Sequence, residues 1–269
     1  MCTLTYIPKN NGFILTSNRD EQLARPLAIP PQAVVLRNGV TATFARDPQA
    51  NGTWLATADN GFTVCLLNGG FAAHTPVPPY RQSRGLVPLH FLEDYNDVPS
   101  FFYHYNFENI EPFTLLIFYK NKAKNENTVD EIRWDGRQKH HKNLNFRYPH
   151  IWSSCTLYTK ETVAQREGWF ELFLEKMKAK AVAINNEKES GNLLQLSVQC
   201  QTITAEEMLG FHTFAGGENS QNSLLMYRKG QSRTVAITSI LVENTCIQVL
   251  YYDIIQQKKQ QLSFEISKI

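Results

Sequence analysis

Residues 2–21 read Cys2-Thr3-Leu4-Thr5-Tyr6-Ile7-Pro8-Lys9-Asn10-Asn11-Gly12-Phe13-Ile14-Leu15-Thr16-Ser17-Asn18-Arg19-Asp20-Glu21. Residues 2–7 alternate in the manner of a strand, Lys9-Asn10-Asn11-Gly12 supplies turn residues, and 13–17 resume a strand that runs into four polar and charged residues. The reading is an N-terminal hairpin. Its second strand folds back along the first, so the run Asn18-Arg19-Asp20-Glu21 is expected beside Cys2. Four such residues at the end of an apolar strand are costly to bury unless they pair with one another or hold something.

Working outward, residues 25–32 contain Pro26, Pro30 and Pro31, which deny the backbone donors a sheet interior needs, and are expected to form a loop. Strands are predicted at 40–45, 53–58 and 62–67, with turns at 48–52 and 59–61, the second an Asn-Gly turn. The period then switches from two to about 3.6. Helices are predicted at 83–95 and 98–104, strands at 114–119 and 129–134 joined by a hydrophilic tip, and a long helix at 159–185. That helix has Thr159 as its N-cap and Val163, Trp169, Phe170, Phe173, Leu174, Met177 and Ala181 on one stripe. A polar link at 185–191, an apolar stretch at 193–198 and a short helix at 205–209 precede strands at 223–228, 234–242, 247–254 and 261–266. Strands first, helices in the middle and strands last is an α+β pattern, with helices laid on antiparallel sheets.

The chain has 269 residues, 42% of them hydrophobic and 19% charged, which fits a globular protein with a sizeable core in a single domain over 1–269. Its 27 Lys+Arg nearly balance 25 Asp+Glu, and the basic residues are scattered apart from a cluster at 139–142, so nucleic acid is excluded as a main partner. No stretch reaches the ~18 apolar residues of a membrane span, and residues 1–8 lack the pattern of a secretory signal; a cytoplasmic location is expected. Cys2, Cys65, Cys155, Cys200 and Cys246 are widely spaced and form no C-x-x-C pair, as expected of free thiols rather than a disulfide framework or a zinc site.

Cys2 is the first candidate for chemistry. Removal of an initiator Met, expected before a residue as small as Cys, leaves thiol and α-amine on one residue. An α-amine with a pKa of about 7.7 to 8.0 can accept the proton of a thiol near 8.5, by the logic that activates an N-terminal Thr. The alternative is a buried Cys without a special role. Arg19 is a cation able to lower the thiol pKa or bind an anionic group, and Asp20 a carboxylate able to hold the α-ammonium; the alternative is a solvated ion pair. Asn68, before Gly69-Gly70 at a strand end, is a candidate oxyanion donor or a turn residue. His140-His141 has no third ligand at metal spacing and is read as a solvated loop, His74 and His212 are isolated, and Gly216-Gly217 completes no phosphate loop.

With Met1-Cys2, Asn18-Arg19-Asp20-Glu21, Arg25-Pro26, Gly52-Thr53-Trp54-Leu55 and Asn68 in order over residues 1–85, the sequence resembles the NRDE protein family, also called the transport and Golgi organisation protein 2 family. That family is similar to the N-terminal nucleophile hydrolases, above all the Cys-dependent acylases that cleave bile-salt and penicillin amides. The resemblance implies a four-layer αββα sandwich of two antiparallel sheets between helices. It also implies a cysteine amidohydrolase acting on a non-peptide C–N amide, with Cys2 as nucleophile, Arg19 and Asp20 assisting and Asn68 in the oxyanion hole. Asn18, Glu21 and Trp54 are the candidate substrate-binding residues. No metal and no cofactor is expected for such an enzyme. The alternative on the same scaffold is a carrier or binding protein for haem or an acyl-lipid, with Cys2 as a thiolate ligand. Where the family often has a Ser-Asn pair before its long helix, this chain reads Ser153-Ser154-Cys155.

Overall fold

The computed structural model describes residues 2–121, 126–184, 200–217 and 221–267, with the backbone alone at 2, 183 and 184. The hairpin forms as expected. Strand β1 (Cys2–Lys9) pairs antiparallel with β2 (Gly12–Gln22), in a register running from Lys9 opposite Gly12 to Cys2 opposite Arg19. A Cβ at Gly12 would fall 1.8 Å from the Val242 carbonyl oxygen, so only glycine lets β2 lie this close to its other neighbour.

The hairpin lies inside a seven-stranded sheet. Its order is β10-β1-β2-β12-β13-β14, with β10 at His150–Ser153, β12 at Ser232–Glu243, β13 at Cys246–Asp253, β14 at Lys258–Glu265, and the two-residue β11 (Tyr227–Arg228) paired to β12. The second sheet is a meander of seven strands in chain order: β3 (Ile29–Val35), β4 (Thr41–Arg46), β5 (Leu55–Ala58), β6 (Thr63–Asn68), β7 (Phe113–Asn121), β8 (Glu126–Trp134) and β9 (Lys139–Leu144). All pairings between these strands are antiparallel.

Three apolar clusters define the layers. Leu4, Tyr6, Phe13 and Leu15 of the first sheet meet Leu55, Cys65, Leu67, Leu116 and Phe118 of the second. The alternate residues of the same strands face outward, as a period of two requires. Ile7 and Ile14 pack with Phe170, Met208 and Phe211, which come from α3 (Lys160–Ile184) and α4 (Ala205–Phe214). On the far side, Val64, Leu66, Leu115 and Ile117 pack with Val87, Phe91 and Phe101 of α1 (Val87–Asp94) and α2 (Val98–His104). The order is helices, sheet, sheet, helices, the αββα sandwich. No described helix is long and apolar enough to cross a membrane.

Several expectations need correction. Residues 25–32 are not all loop: Ile29 begins β3, and Pro30 and Pro31 are accommodated at a register shift between Ile29 and Gln32 on an edge strand, where missing donors cost little. Of residues 223–228 only β11 is strand. The His140-His141 pair is not a solvated loop but part of β9, each ring resting on a carboxylate, Asp135 at 2.8 Å and Asp130 at 2.7 Å. The helix predicted to end at Leu209 continues to Phe214, started by a capping box between Thr204 and Glu207. Thr159 does cap α3, its hydroxyl accepting from the Thr162 amide at 3.3 Å. The stretches predicted at 185–191 and 193–198 lie outside the described residues.

Candidate active site

The chain enters the first sheet at β1, between two partners. Cys2 pairs with Arg19 of β2, and Thr3 pairs both with Asn18 of β2 and with Ser153 of β10. The residue after β10, Ser154, donates its hydroxyl to the carbonyl of Asn68 at 2.8 Å, which ties the end of β6 in the second sheet to the start of β1 in the first. Residue 2, Arg19, Ser154 and Asn68 therefore converge through the backbone. The expected proximity of Cys2 and the Asn18-Arg19-Asp20-Glu21 run is met at Arg19, whose residue sits directly opposite.

Successive residues of that run point to opposite faces. Arg19 reaches across to the second sheet: its Nη2 lies 2.7 Å from Asp47 Oδ2 and 3.6 Å from Glu21 Oε2, and its guanidinium lies 4.6 Å from the Trp54 ring centre. Asp47 Oδ2 is shared with Arg25 at 3.0 Å, while Oδ1 takes the amides of Gln49 and Ala50. Burial works to raise the Asp47 carboxyl, but the Ala50 amide and the two guanidiniums outweigh it and hold it below the usual range. Arg19, Glu21, Trp54 and Asn68 line one cleft of about 700 Å³, together with Asp47, Arg25, His74, Arg84 and Glu111. Asn68 also lines a second cavity of about 460 Å³, walled by Phe71, Ile151, Trp152, Cys155 and Val163.

Asn18 and Asp20 face the helical side instead. Asn18, expected to touch substrate, is fully buried; its amide donates to the carbonyls of Leu224 at 2.6 Å and His212 at 3.2 Å, and its oxygen meets His212 Nδ1. Asp20 is fully buried as well, and accepts from the Tyr158 hydroxyl and, at 2.6 Å, from the Thr234 hydroxyl. Burial raises its pKa against the pull of the nearby Arg166, and burial likewise raises Tyr158. Arg166 has no exposed surface. It stacks 3.7 Å from the Tyr158 ring centre and donates to Thr3 Oγ1, to the Ser223 carbonyl at 2.8 Å and to the Asn222 carbonyl at 3.1 Å. Asp20, Tyr158 and Arg166 thus form a polar cluster beneath the first residues of β1.

Tyr158, Arg166, Asp47 and His212 were not singled out from sequence. For Arg166 a signal existed: it falls on the apolar stripe of α3, between Val163 and Phe170, where a charge needs a buried partner. His212, read as isolated, is a buried neutral imidazole. Its Nδ1 donates to Asn18, its Nε2 meets Thr5 Oγ1 at 2.8 Å, and burial followed by Arg166 lowers its pKa to about 3. Among the described residues Cys65, Cys155, Cys200 and Cys246 form no disulfide; burial raises the Cys155 thiol and pushes Cys200 up to about 11.

Two antiparallel sheets between helical layers, with β1 starting beside the edge strand β10 and opposite Arg19 of the cleft, form the N-terminal-nucleophile-hydrolase-like architecture. A sequence profile of the Transport and Golgi organisation 2 family matches residues 1–255, and the chain belongs to that family. No curated protein matches it in sequence. Among solved structures, an orthologue of N-acylethanolamine-hydrolyzing acid amidase from Caenorhabditis elegans is similar, with 13% identity, a TM-score of 0.50, and coverage of 89% of this chain and 92% of that one. A C2A mutant of conjugated bile acid hydrolase from Clostridium perfringens gives 8% identity and a TM-score of 0.45 over 99% of this chain and 98% of that one. At these identities the likeness concerns the fold alone.

Proposed function

We propose that this protein is a cysteine amidohydrolase in which Cys2, exposed as the N-terminal residue by loss of Met1, is the nucleophile for a non-peptide C–N amide. The observation that carries this reading is the strand register that sets residue 2 opposite Arg19, at the cleft that also holds Asn68. The hydrolase name of the fold neighbour with the TM-score of 0.50 is consistent with amide chemistry.

In this mechanism the α-amine of Cys2 takes the thiol proton and the thiolate attacks the amide carbonyl. Asn68 and a backbone N–H hold the oxyanion. Collapse of the tetrahedral intermediate breaks the C–N bond, the proton returns to the departing amine, and a thioester remains on Cys2. Water, deprotonated by the same α-amine, then breaks the thioester, releasing the carboxylic acid and restoring the thiol. Arg19 favours the thiolate by its charge. Asp20 acts through the buried cluster with Tyr158 and Arg166 that holds the start of β1, a positioning role rather than contact with substrate.

The test is turnover of a panel of N-acyl amides, read as acid and amine released in equal amounts. Wild type is expected to be at least about 10³-fold faster than Cys2→Ala at unchanged fold. Equal release by both proteins would overturn the reading. Loss of a haem or acyl-lipid ligand on Cys2→Ala, without any turnover in wild type, would put the carrier alternative in its place.

A further inference from the structure

Each sheet ends in two edge strands, β10 and β14 in the first and β3 and β9 in the second. An edge presents unpaired N–H and C=O groups that template a further strand, and proteins blunt it with short length, proline, bulges or charge. Three of these four are blunted. β10 has four residues, and β3 carries Pro30 and Pro31 at its register shift. β9, with Lys139, His140, His141 and Lys142 and no acidic residue, offers its own copy no counter-charge. β14 differs from all three. It runs eight residues, Lys258–Glu265, without proline and in unbroken register with β13, with lysines at one end and a glutamate at the other.

The exposure of β14 alternates. Lys259, Gln261, Ser263 and Glu265 are exposed, whereas Gln260, Leu262 and Phe264 are half-buried, the last two packed at the rim of the core between the sheets. Gln260 donates across to the Pro31 carbonyl of β3 at 3.0 Å, and β3 leaves Ile29 and Val35 exposed. This flank therefore joins a free backbone edge to incompletely covered apolar side chains. Residues directly opposite in an antiparallel pair share a face, so two copies of β14 about a twofold axis must pair exposed with exposed and half-buried with half-buried residues. One such register sets Lys259 opposite Glu265 of the second copy, and by symmetry does so twice. It also sets Gln261 opposite Ser263, Gln260 opposite Phe264, and Leu262 opposite its own copy. The neighbouring registers of the same parity place Glu265 opposite Gln261 or beyond the paired strand, and lose both ion pairs.

We propose that β14 is a homodimer interface, at which two copies of this strand pair antiparallel about a twofold axis at Leu262 and join the two first sheets into one. The interface is isologous: each copy offers the same backbone edge, the same lysine and the same glutamate. On the core side of the seam, Leu262 and Phe264 of one copy cover those of the other. The strands β2, β12 and β13 stand between β14 and β1, so the seam leaves the start of β1 free, and the dimer does not depend on the amidohydrolase reading.

Sedimentation of the full chain from about 1 to about 100 μM reads the equilibrium. Wild type is expected to reach twice the mass of the chain at the upper end. Lys259→Glu and Glu265→Lys each set like charges opposite one another twice, and each is expected to weaken the dimer by about tenfold or more. The variant carrying both substitutions restores opposite charges and is expected to return to within about threefold of wild type. Both side chains are exposed, so the fold is expected to survive, and far-UV circular dichroism of each variant checks it. A wild-type chain that stays monomeric throughout would overturn the proposal and leave the edge to a strand of another protein. A dimer that neither single substitution weakens, or that the double substitution fails to restore, would overturn it as well. Lys259 lies 5.3 Å from the Tyr252 ring centre, and the agreement of Glu265→Lys with Lys259→Glu separates the loss of that contact from the loss of the cross-strand pair.

Discussion

At the scale of single residues, the start of β1 is held from below by an arginine and beside by another. Arg166 contributes no surface to solvent, and its guanidinium serves Thr3, two carbonyls and the electrostatics of Asp20 together. Replacing it by methionine, close in volume, leaves Asp20 buried without its cation, and this is expected to cost about 3–5 kcal/mol. Urea unfolding of Arg166→Met measures it; a loss under about 1 kcal/mol would mean that the cluster does not hold the strand. Arg19 was legible in the sequence because the hairpin register follows from the turn, and the register fixes which residue stands opposite Cys2. Its partner Asp47 was not, because that pairing crosses between sheets and no local pattern encodes it. Arg19→Leu is expected to slow alkylation of Cys2 at pH 6.5 by about tenfold, the effect of raising a thiol pKa by one unit. An unchanged rate would remove Arg19 from the activation of the thiol.

At the scale of elements, strand ends carry the site and glycines let them approach. Gly69 follows Asn68 with φ +86°, and a Cβ there would fall 2.4 Å from Cys155 Sγ and 2.8 Å from Thr156 Cγ2. Gly69→Ala is therefore expected to displace either the end of β6 or the chain after β10. The expected cost is about 2 kcal/mol or more of stability, with lower amide turnover as Asn68 shifts. Thermal unfolding and kinetics on one preparation check both; unchanged stability and turnover would contradict the close packing of these two ends. The same junction shows why β10 escaped notice: four residues, all half-buried, offer no alternation to read. In β3, by contrast, the prolines were visible and misled, because whether a strand sits at an edge is settled by tertiary pairing and not by its own residues.

At the scale of the whole molecule, each sheet is sandwiched between its partner and a helical layer. Central strands such as β7 are buried on both faces, and so read as continuous apolar runs whose existence was plain while their layer was not. The α+β class followed from element order, and the four layers came from the resemblance rather than from periodicity. One core shared by both sheets predicts a single cooperative transition over residues 1–269. Far-UV and near-UV signals that coincide on unfolding would agree, and separated midpoints would not. Acid should weaken the fold through His212, on the helical side of the first sheet. Its folded pKa is lowered to about 3 from an ordinary 6.5, so between these values the unfolded chain binds a proton that the native protein refuses. The contribution is fully present above about pH 6.5 and falls by about 4 kcal/mol towards pH 3. His212→Gln should flatten that slope, and an identical slope in both proteins would exclude the imidazole as its source. The claim on which the account turns is an activated thiol at the start of β1. It is tested most directly by the intact mass of the purified protein, followed by substoichiometric labelling at pH 6.5 with a thiol-reactive electrophile and mapping of the five cysteines. Loss of Met1 with selective labelling of Cys2 is the predicted result. Retained Met1, or label spread over Cys155 and Cys246 as readily as Cys2, would contradict it.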